Sequence, residues 1–132
     1  MQPLHHFAYI STLSPTVGPG CVIDVVRSAR IRNRDLAVTG VLIFDGWAFF
    51  QYLEGPTTSI DSVVASIYRD RRHVGISPLA HGPVDGPRRF GDWAMAYAIA
   101  DDETLLPAIA ERRGVRLADD LERLIPRLDL VA

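Results

Sequence analysis

Tyr9, Gln51, Trp93 and Met95 are polar or redox-capable side chains set into apolar runs, and Asn33 stands where a helical pattern ends. A phenol can give up an electron and a proton, and a carboxamide carries a donor end and an acceptor end that exchange places when it turns over. None of the five is a strong acid or base at neutral pH, so the set suits holding a polar, planar ligand edge better than it suits hydrolysis. The ordinary role of a buried Tyr or Trp is packing with one hydrogen-bond partner, and that of Met is gap filling. Gln51 is harder to read as packing, because it interrupts Trp47-Ala48-Phe49-Phe50-Gln51-Tyr52-Leu53. An unpaired amide in such a run costs ~1–3 kcal/mol, so it requires a polar partner.

Other chemistries find less support. His5, His6, His73 and His81 have no ligand spacing, and neighbouring strand residues point to opposite faces, which argues against a metal site. Neither Cys21 nor any serine lies in a nucleophile motif, and Gly18 and Gly20 lack the spacing of a dinucleotide-binding loop. With Cys21 as the single cysteine no intramolecular disulfide can form, and a reducing compartment, the cytoplasm, is the expectation. A formal charge of −2 gives no global attraction to nucleic acid or an acidic membrane, and no apolar run approaches the ~20 residues of a membrane span.

The elements that must position these residues follow from periodicity. Leu4–Ser11 reads as a strand, broken by Ser14-Pro15 and Gly18-Pro19-Gly20 before a helix over Cys21–Asn33 with Val22, Val25, Val26 and Ala29 on one side. Ala37–Phe44 and Trp47–Leu53 predict a hairpin through Asp45-Gly46, expected as a type I′ turn. Thr58 and Asp61 have capping-box spacing ahead of a second helix, whose apolar stripe contains Ile60, Val63, Val64, Ile67 and Tyr68. Val74–Val84 and Trp93–Ala100 read as strands, with Pro78 pushing the first to an edge or a bulge.

The order is βαββαβ plus one strand. It predicts an α+β, ferredoxin-like open-faced sandwich with the first and third strands central and both helices on one face. Period-two alternation then puts Gln51 with Trp47, Phe49 and Leu53, Tyr9 with His5 and Phe7, and Trp93 with Met95 and Tyr97, so phenol, amide, indole and thioether are expected to converge between sheet and helices. The remaining face needs a cover, and helical patterns over Asp102–Arg113 and Leu117–Leu128 offer one, docking on their own sheet or forming a dimer seam. The expected organisation is a unit over residues 1–100 and a helical extension over 101–132.

Several motifs in register carry a resemblance: Phe7-Ala8-Tyr9-Ile10-Ser11, Asn33, Val38-Thr39-Gly40-Val41-Leu42, Phe49-Phe50-Gln51-Tyr52-Leu53-Glu54-Gly55-Pro56, Arg69-Asp70-Arg71-Arg72-His73 and Arg88-Arg89-Phe90-Gly91-Asp92-Trp93-Ala94-Met95. From Leu4 to Ala100 the chain resembles the BLUF family, blue-light sensors using FAD. The resemblance implies an oxidised flavin held non-covalently between the two helices, in a photoreceptor that is not an enzyme. By position, Tyr9 corresponds to the photoactive tyrosine, Gln51 to the switching glutamine, Asn33 to the asparagine on the flavin's pyrimidine edge, and Trp93 and Met95 to the pair that reports the switch. It further implies light-driven electron and proton transfer from Tyr9, hydrogen-bond switching by Gln51 and a red-shifted signalling state.

Arg30, Arg32, Arg34, Arg72 and His73 are the candidates for the flavin's phosphate tail. Ser66 stands where relatives often carry a basic residue, which leaves FMN or riboflavin beside FAD as the cofactor. With no catalytic or DNA-reading module in this sequence, output is expected through a partner protein or a homo-oligomer, with no nucleic acid and no membrane. Two rival readings are an acylphosphatase-like hydrolase and a cofactor-free interaction module. The hydrolase would need a basic loop after the first strand, whereas Ser11–Cys21 contains no Lys or Arg.

Overall fold

Alternation along the first strand divides the molecule into two cores. Phe7 and Tyr9 point to one face of the sheet, while Ala8 and Ile10 point to the other. The structure, a computed structural model, describes residues 3–112, 114 and 116–132. Its elements are β1 (Leu4–Leu13), α1 (Cys21–Leu36), β2 (Thr39–Phe44), β3 (Ala48–Pro56), α2 (Thr57–Arg69), β4 (His73–Pro83), β5 (Ala96–Ile99), α3 (Leu105–Glu111) and α4 (Leu117–Leu124), with a 3₁₀ turn at Ile125–Arg127. The sheet order is β4-β1-β3-β2-β5, antiparallel throughout except for the parallel pair β2–β5. This is the expected ferredoxin-like sandwich, with β1 and β3 central and an added fifth strand.

The near face carries α1 and α2, whose Val22, Val26, Ala29, Ile60, Val63 and Ile67 meet the sheet. The far face is sealed by the C-terminal helices: Leu106, Ile109, Leu117 and Leu121 pack into one cluster with Val41, Ile43, Phe50 and Tyr52. The extension therefore docks on its own sheet rather than presenting that stripe as a seam. Arg89 ties α4 to the loop before β5 through Asp119 at 2.6 Å and Glu122 at 3.1 Å. Tyr97 and Val131 exchange backbone hydrogen bonds at 2.9 and 2.8 Å, closing the outer edge of β5.

Local details depart from expectation where tertiary contacts intervene. At the β2–β3 turn only Gly46 has positive φ, so the turn is not type I′; Asp45 Oδ1 instead accepts the Trp47 and Ala48 amides at 2.9 and 2.7 Å. The expected capping box does not start α2, which begins two residues earlier with Pro56 at its N-cap and no side-chain cap there. α1 runs on to Leu36, and Ala37 takes the left-handed conformation (φ 57°, ψ 38°) while the Val38 amide reaches back to the Asn33 carbonyl at 2.8 Å. Pro78 sits on edge strand β4, opposite Tyr9, where the β1–β4 register shifts. Pro126 prevents α4 from continuing, and the chain tightens into the 3₁₀ turn. No helix among the described residues is long and apolar enough to cross a membrane.

Candidate functional site

Tyr9 and Gln51 are direct cross-strand partners at the centre of the sheet, with Leu42 opposite Gln51 on the next strand. Their side chains therefore emerge side by side on the near face, where the Tyr9 hydroxyl donates to Gln51 Oε1 at 2.6 Å. Burial pushes the Tyr9 phenol well above its usual range, so it keeps its proton and acts as a donor. With Oε1 occupied, the amide nitrogen of Gln51 is left with Met95 Sδ at 3.8 Å. A primary amide offers two donors and a thioether is a weak acceptor, so this end of a buried side chain is under-partnered.

A cleft of about 430 Å³, open mouth included, runs beside this pair between the sheet and the two helices. Leu42 and Phe49 continue its floor, Val25 and Ala29 of α1 form one wall, and Ile67 of α2 lines the other. Arg32 is the cation inside it, with Nε donating to Asn33 Oδ1 at 3.3 Å. Burial draws the Arg32 guanidinium below its ordinary pKa, with Tyr9 and Asp70 acting in the opposite direction. At the mouth Arg72 embraces Asp70 with contacts of 2.7 to 3.2 Å. Burial works to raise the Asp70 carboxyl, but the hydrogen bonds and charge of Arg72 outweigh it and hold the group below the usual range.

His73 also lines the cleft, but both ring nitrogens are engaged: Nε2 donates to the Ile67 carbonyl at 2.8 Å and Nδ1 meets the Ser11 hydroxyl at 2.7 Å. It braces β1 against α2. Asn33 is fully buried, and its amide donates to the Ala94 carbonyl at 2.7 Å. One turn earlier, Arg30 Nε donates to the Met95 carbonyl at 3.0 Å, so two α1 side chains hold the peptides on either side of Met95.

Tyr9, Gln51, Met95 and Arg32 thus come together, with Asn33 behind Met95 and Arg72 and His73 already paired at the periphery. Arg30 is not at the cleft. Its guanidinium lies on the outer side of α1, 5.7 Å from the Tyr97 ring centroid and 3.2 Å from the Val131 carbonyl, while Arg34 is exposed on that same side. Trp93 does not join the convergence either. It packs on the far-face cluster, stacked on Phe90 at 6.2 Å. Residues 93–95 are not strand, so the alternation that would align Trp93 with Met95 does not apply; the Trp93 carbonyl accepts the Gly40 amide at 2.9 Å.

Two acidic residues that the sequence reading gave no role are engaged here, one at the cleft and one on the opposite face of the sheet. Asp70 sits at the mouth, and Glu54, fully buried on the far face, accepts the Phe90 amide at 2.7 Å and the Tyr52 hydroxyl at 3.3 Å. Glu54 ends the apolar run of β3, just before Gly55-Pro56, so the signal that marks Gln51, a polar residue inside that run, does not mark it. Among the described residues no cluster of His, Cys, Asp or Glu could hold a metal ion.

Comparison with known proteins gives this arrangement a family context. Residues 4–96 match the family model described as BLUF, sensors of blue-light using FAD. The photoactivated adenylate cyclase subunit beta of Euglena gracilis is 37% identical over 99 residues, 75% of this chain but 11% of that protein. The blue light- and temperature-regulated antirepressor BluF of Escherichia coli K12 is 39% identical over 74 residues, 54% of this chain and 18% of that one. The chain thus spans only about a tenth of the length of the cyclase relatives it matches. Among solved structures, the dark state of the BLUF protein BlrB has a TM-score of 0.77 and 29% identity, covering 95% of this chain and 96% of that one. Klebsiella pneumoniae BlrP1 with FMN and cyclic diGMP has a TM-score of 0.69 and 30% identity, covering 93% and 33%.

Proposed function

The chain belongs to the BLUF family of flavin-based blue-light sensors, and from that premise we propose that Tyr9 and Gln51 form its light switch, with the flavin ring held non-covalently in the near-face cleft. The module is a photosensor and not an enzyme. The observation that carries the assignment is the 2.6 Å Tyr9–Gln51 hydrogen bond, whose amide has only a thioether at 3.8 Å on its donor end. The residues present fit a flavin. Its ring edge is rich in acceptors and would satisfy the Gln51 donor, Val25, Ala29 and Ile67 provide apolar walls for a planar ring, and Arg32 supplies, among the described residues, a cation at the cleft that is not closed into an ion pair.

Bound flavin supplies the absorption of blue light and an excited ring able to take up an electron. Tyr9 is the source of that electron and of a proton, for which its hydroxyl is prepared by staying protonated in its buried position. Gln51 would then switch its hydrogen bonding, by rotation or by tautomerisation of the amide, so that the group that holds Tyr9 in the dark is rewired without backbone movement. Recovery would need Tyr9 neutral and protonated again and the Gln51 amide back in the orientation that accepts from it. Asn33 keeps the lead-in to β5 against α1, which holds Met95 beside the amide.

FAD is the cofactor proposed. Arg72 is already neutralised by Asp70, and Ser66 bonds within its own helix, so a phosphate tail gains little at the mouth and FMN and riboflavin should bind comparably. Residues 1–100 act as the sensor unit and 101–132 as the output extension, in a cytoplasmic protein that signals to a partner or through a homo-oligomer. The test is the absorption spectrum of flavin-loaded protein in the dark and after blue light, with Gln51→Leu measured beside it. A small red shift that recovers in the dark and is lost in the variant is expected. A flavin spectrum insensitive to light removes the switch assignment, and a protein that takes up no flavin removes the cofactor and leaves an interaction module.

A further inference from the structure

The outer side of α1 carries an uncovered surface that the cleft does not use. Ile23 and Ile31 are 57% and 60% exposed, and with Tyr97 they line a shallow groove, about 710 Å³ with its open mouth included, between α1 and β5. Ile99 shares the Tyr97 side of β5 by alternation, and Val131 is the cross-strand partner of Tyr97; both are about half exposed. Four of the large apolar side chains that stand in solvent therefore gather along one helix and one strand edge. Single exposed apolar residues are ordinary, whereas a group of them rimmed by charge marks a contact surface.

The rim is basic. Arg27, Arg30 and Arg34 line the same groove, and with Ile23 and Ile31 they occupy one face of α1 at spacings of three and four residues. The acid beside them is Asp24, 3.8 Å from Arg27 and well exposed. Arg30 is bound to backbone carbonyls of Met95 and Val131, and among the described residues it forms no ion pair. A two-fold interface between copies of this chain would set this basic face against itself and bring like charges together.

We propose that this α1–β5 face docks an acidic amphipathic helix of a partner protein. The partner's apolar residues would meet Ile23 and Ile31, which stand roughly 12 Å apart along α1, and its Asp or Glu side chains would meet Arg27 and Arg34 between and beyond them. The docked helix lies one side chain from the switch, because Arg30 spans from the groove to the Met95 carbonyl. Only the coupling of docking to light rests on the sensing function proposed above; the surface itself does not.

The probe is a fluorescent synthetic helix of about 16 residues with Leu at i, i+4 and i+8 and Glu between, titrated by anisotropy against the flavin-loaded full chain. Its counterpart carries Lys for every Glu. Saturable binding of the acidic probe is expected, weakened at least about tenfold by Ile31→Ser and by Arg27→Glu, with Arg27→Glu gaining affinity for the Lys probe. Both positions are exposed and outside the cleft, and the flavin spectrum of each variant reports that the fold is retained. The proposal is overturned if the native chain binds neither probe or both alike. It is overturned equally if light scattering shows a dimer that Ile31→Ser dissociates, which assigns the face to a second copy. Reading the light-induced shift on the same samples separates the two ideas: docking without a shift removes the sensor, and a shift without docking removes this surface.

Discussion

The two faces of the sheet are built from alternate residues of the same strands, yet they treat buried polar groups in opposite ways. On the far face Glu54 is completely enclosed, and the chain supplies its partners, the Phe90 amide and the Tyr52 hydroxyl. On the near face Gln51 is similarly buried, but the chain completes only its acceptor end. On the far face Leu106, Ile109, Leu117 and Leu121 close over the sheet and leave a groove only between α3 and α4; the near face keeps its cleft against the sheet, beside Gln51. Burial of a polar side chain therefore does not by itself mark function. What distinguishes the working face is a polar group whose bonding is left to be finished by something else.

Truncating the far face should give the largest loss of stability. Leu121→Ala removes a side chain that is 2% exposed and leaves a cavity between α4 and the sheet, so urea unfolding should show a loss of about 2–5 kcal/mol. The dark flavin spectrum of the folded variant should stay in place, because Leu121 lies on the opposite side of the sheet from Gln51. A displaced spectrum would mean that the faces are not independent.

On the near face the decisive experiment is a double-mutant cycle in flavin-free protein. Tyr9→Phe leaves Gln51 Oε1 buried without its donor, and Gln51→Leu leaves the Tyr9 hydroxyl without its acceptor, so each should cost about 1–3 kcal/mol. The double variant replaces both partners by apolar groups and should be far less destabilised than the sum of the two. Strict additivity would show that the 2.6 Å contact contributes little before flavin binds.

Glu54 allows a test by pH. Burial raises its carboxyl above the ordinary range, against the opposing hydrogen bonds from Phe90 and Tyr52. The folded state therefore holds this proton more tightly than the unfolded chain does, and the associated stability is present below the unfolded pKa of about 4.3 and lost as pH rises through the raised folded value. Asp70, shifted downward, acts in a separate window: its contribution is complete above about 3.9 and is lost on acidification through its folded value. Denaturation midpoints measured upward from pH 4 should fall in the native chain, and that component should vanish in Glu54→Gln, which keeps an oxygen for the Phe90 amide. An unchanged slope would place the titration elsewhere.

Much of this contrast was legible in the sequence because the decisive pair lies in regular structure. Tyr9 and Gln51 occupy uninterrupted strands, so the period of two and the β1–β3 adjacency were enough to place them on one face. Trp93 was misplaced by that same rule. Residues 93–95 are held by long-range contacts to Gly40, Asn33 and Arg30, and such contacts leave no periodic trace. Arg30 and Arg32, two residues apart, look equivalent as cations, and only the rotation of α1 sends one to the cleft and the other to β5. Glu54 was hidden for a different reason: its partner amide comes from Phe90, thirty-six residues on, in a loop with no regular pattern.

The seam between the faces offers the smallest effect and the sharpest check on local geometry. Ala37 closes α1 with φ of 57°, a conformation that costs an L-residue roughly 1–2 kcal/mol and glycine almost nothing. Its carbonyl accepts Arg88 Nη2 at 2.6 Å, and Arg88 also reaches Thr39 Oγ1 at 3.0 Å and the Glu54 carbonyl at 3.1 Å, so one guanidinium fastens the end of α1 to β2, β3 and the loop before β5. That network holds Ala37 in the left-handed region. Ala37→Gly should relieve the strain without moving the carbonyl, but it also loosens the unfolded chain, which returns part of the gain. The net expectation is a stabilisation of up to about 1 kcal/mol in thermal unfolding, with the light response unchanged. A destabilised variant would show that the entropy of the loosened unfolded chain outweighs the backbone strain at this exposed position.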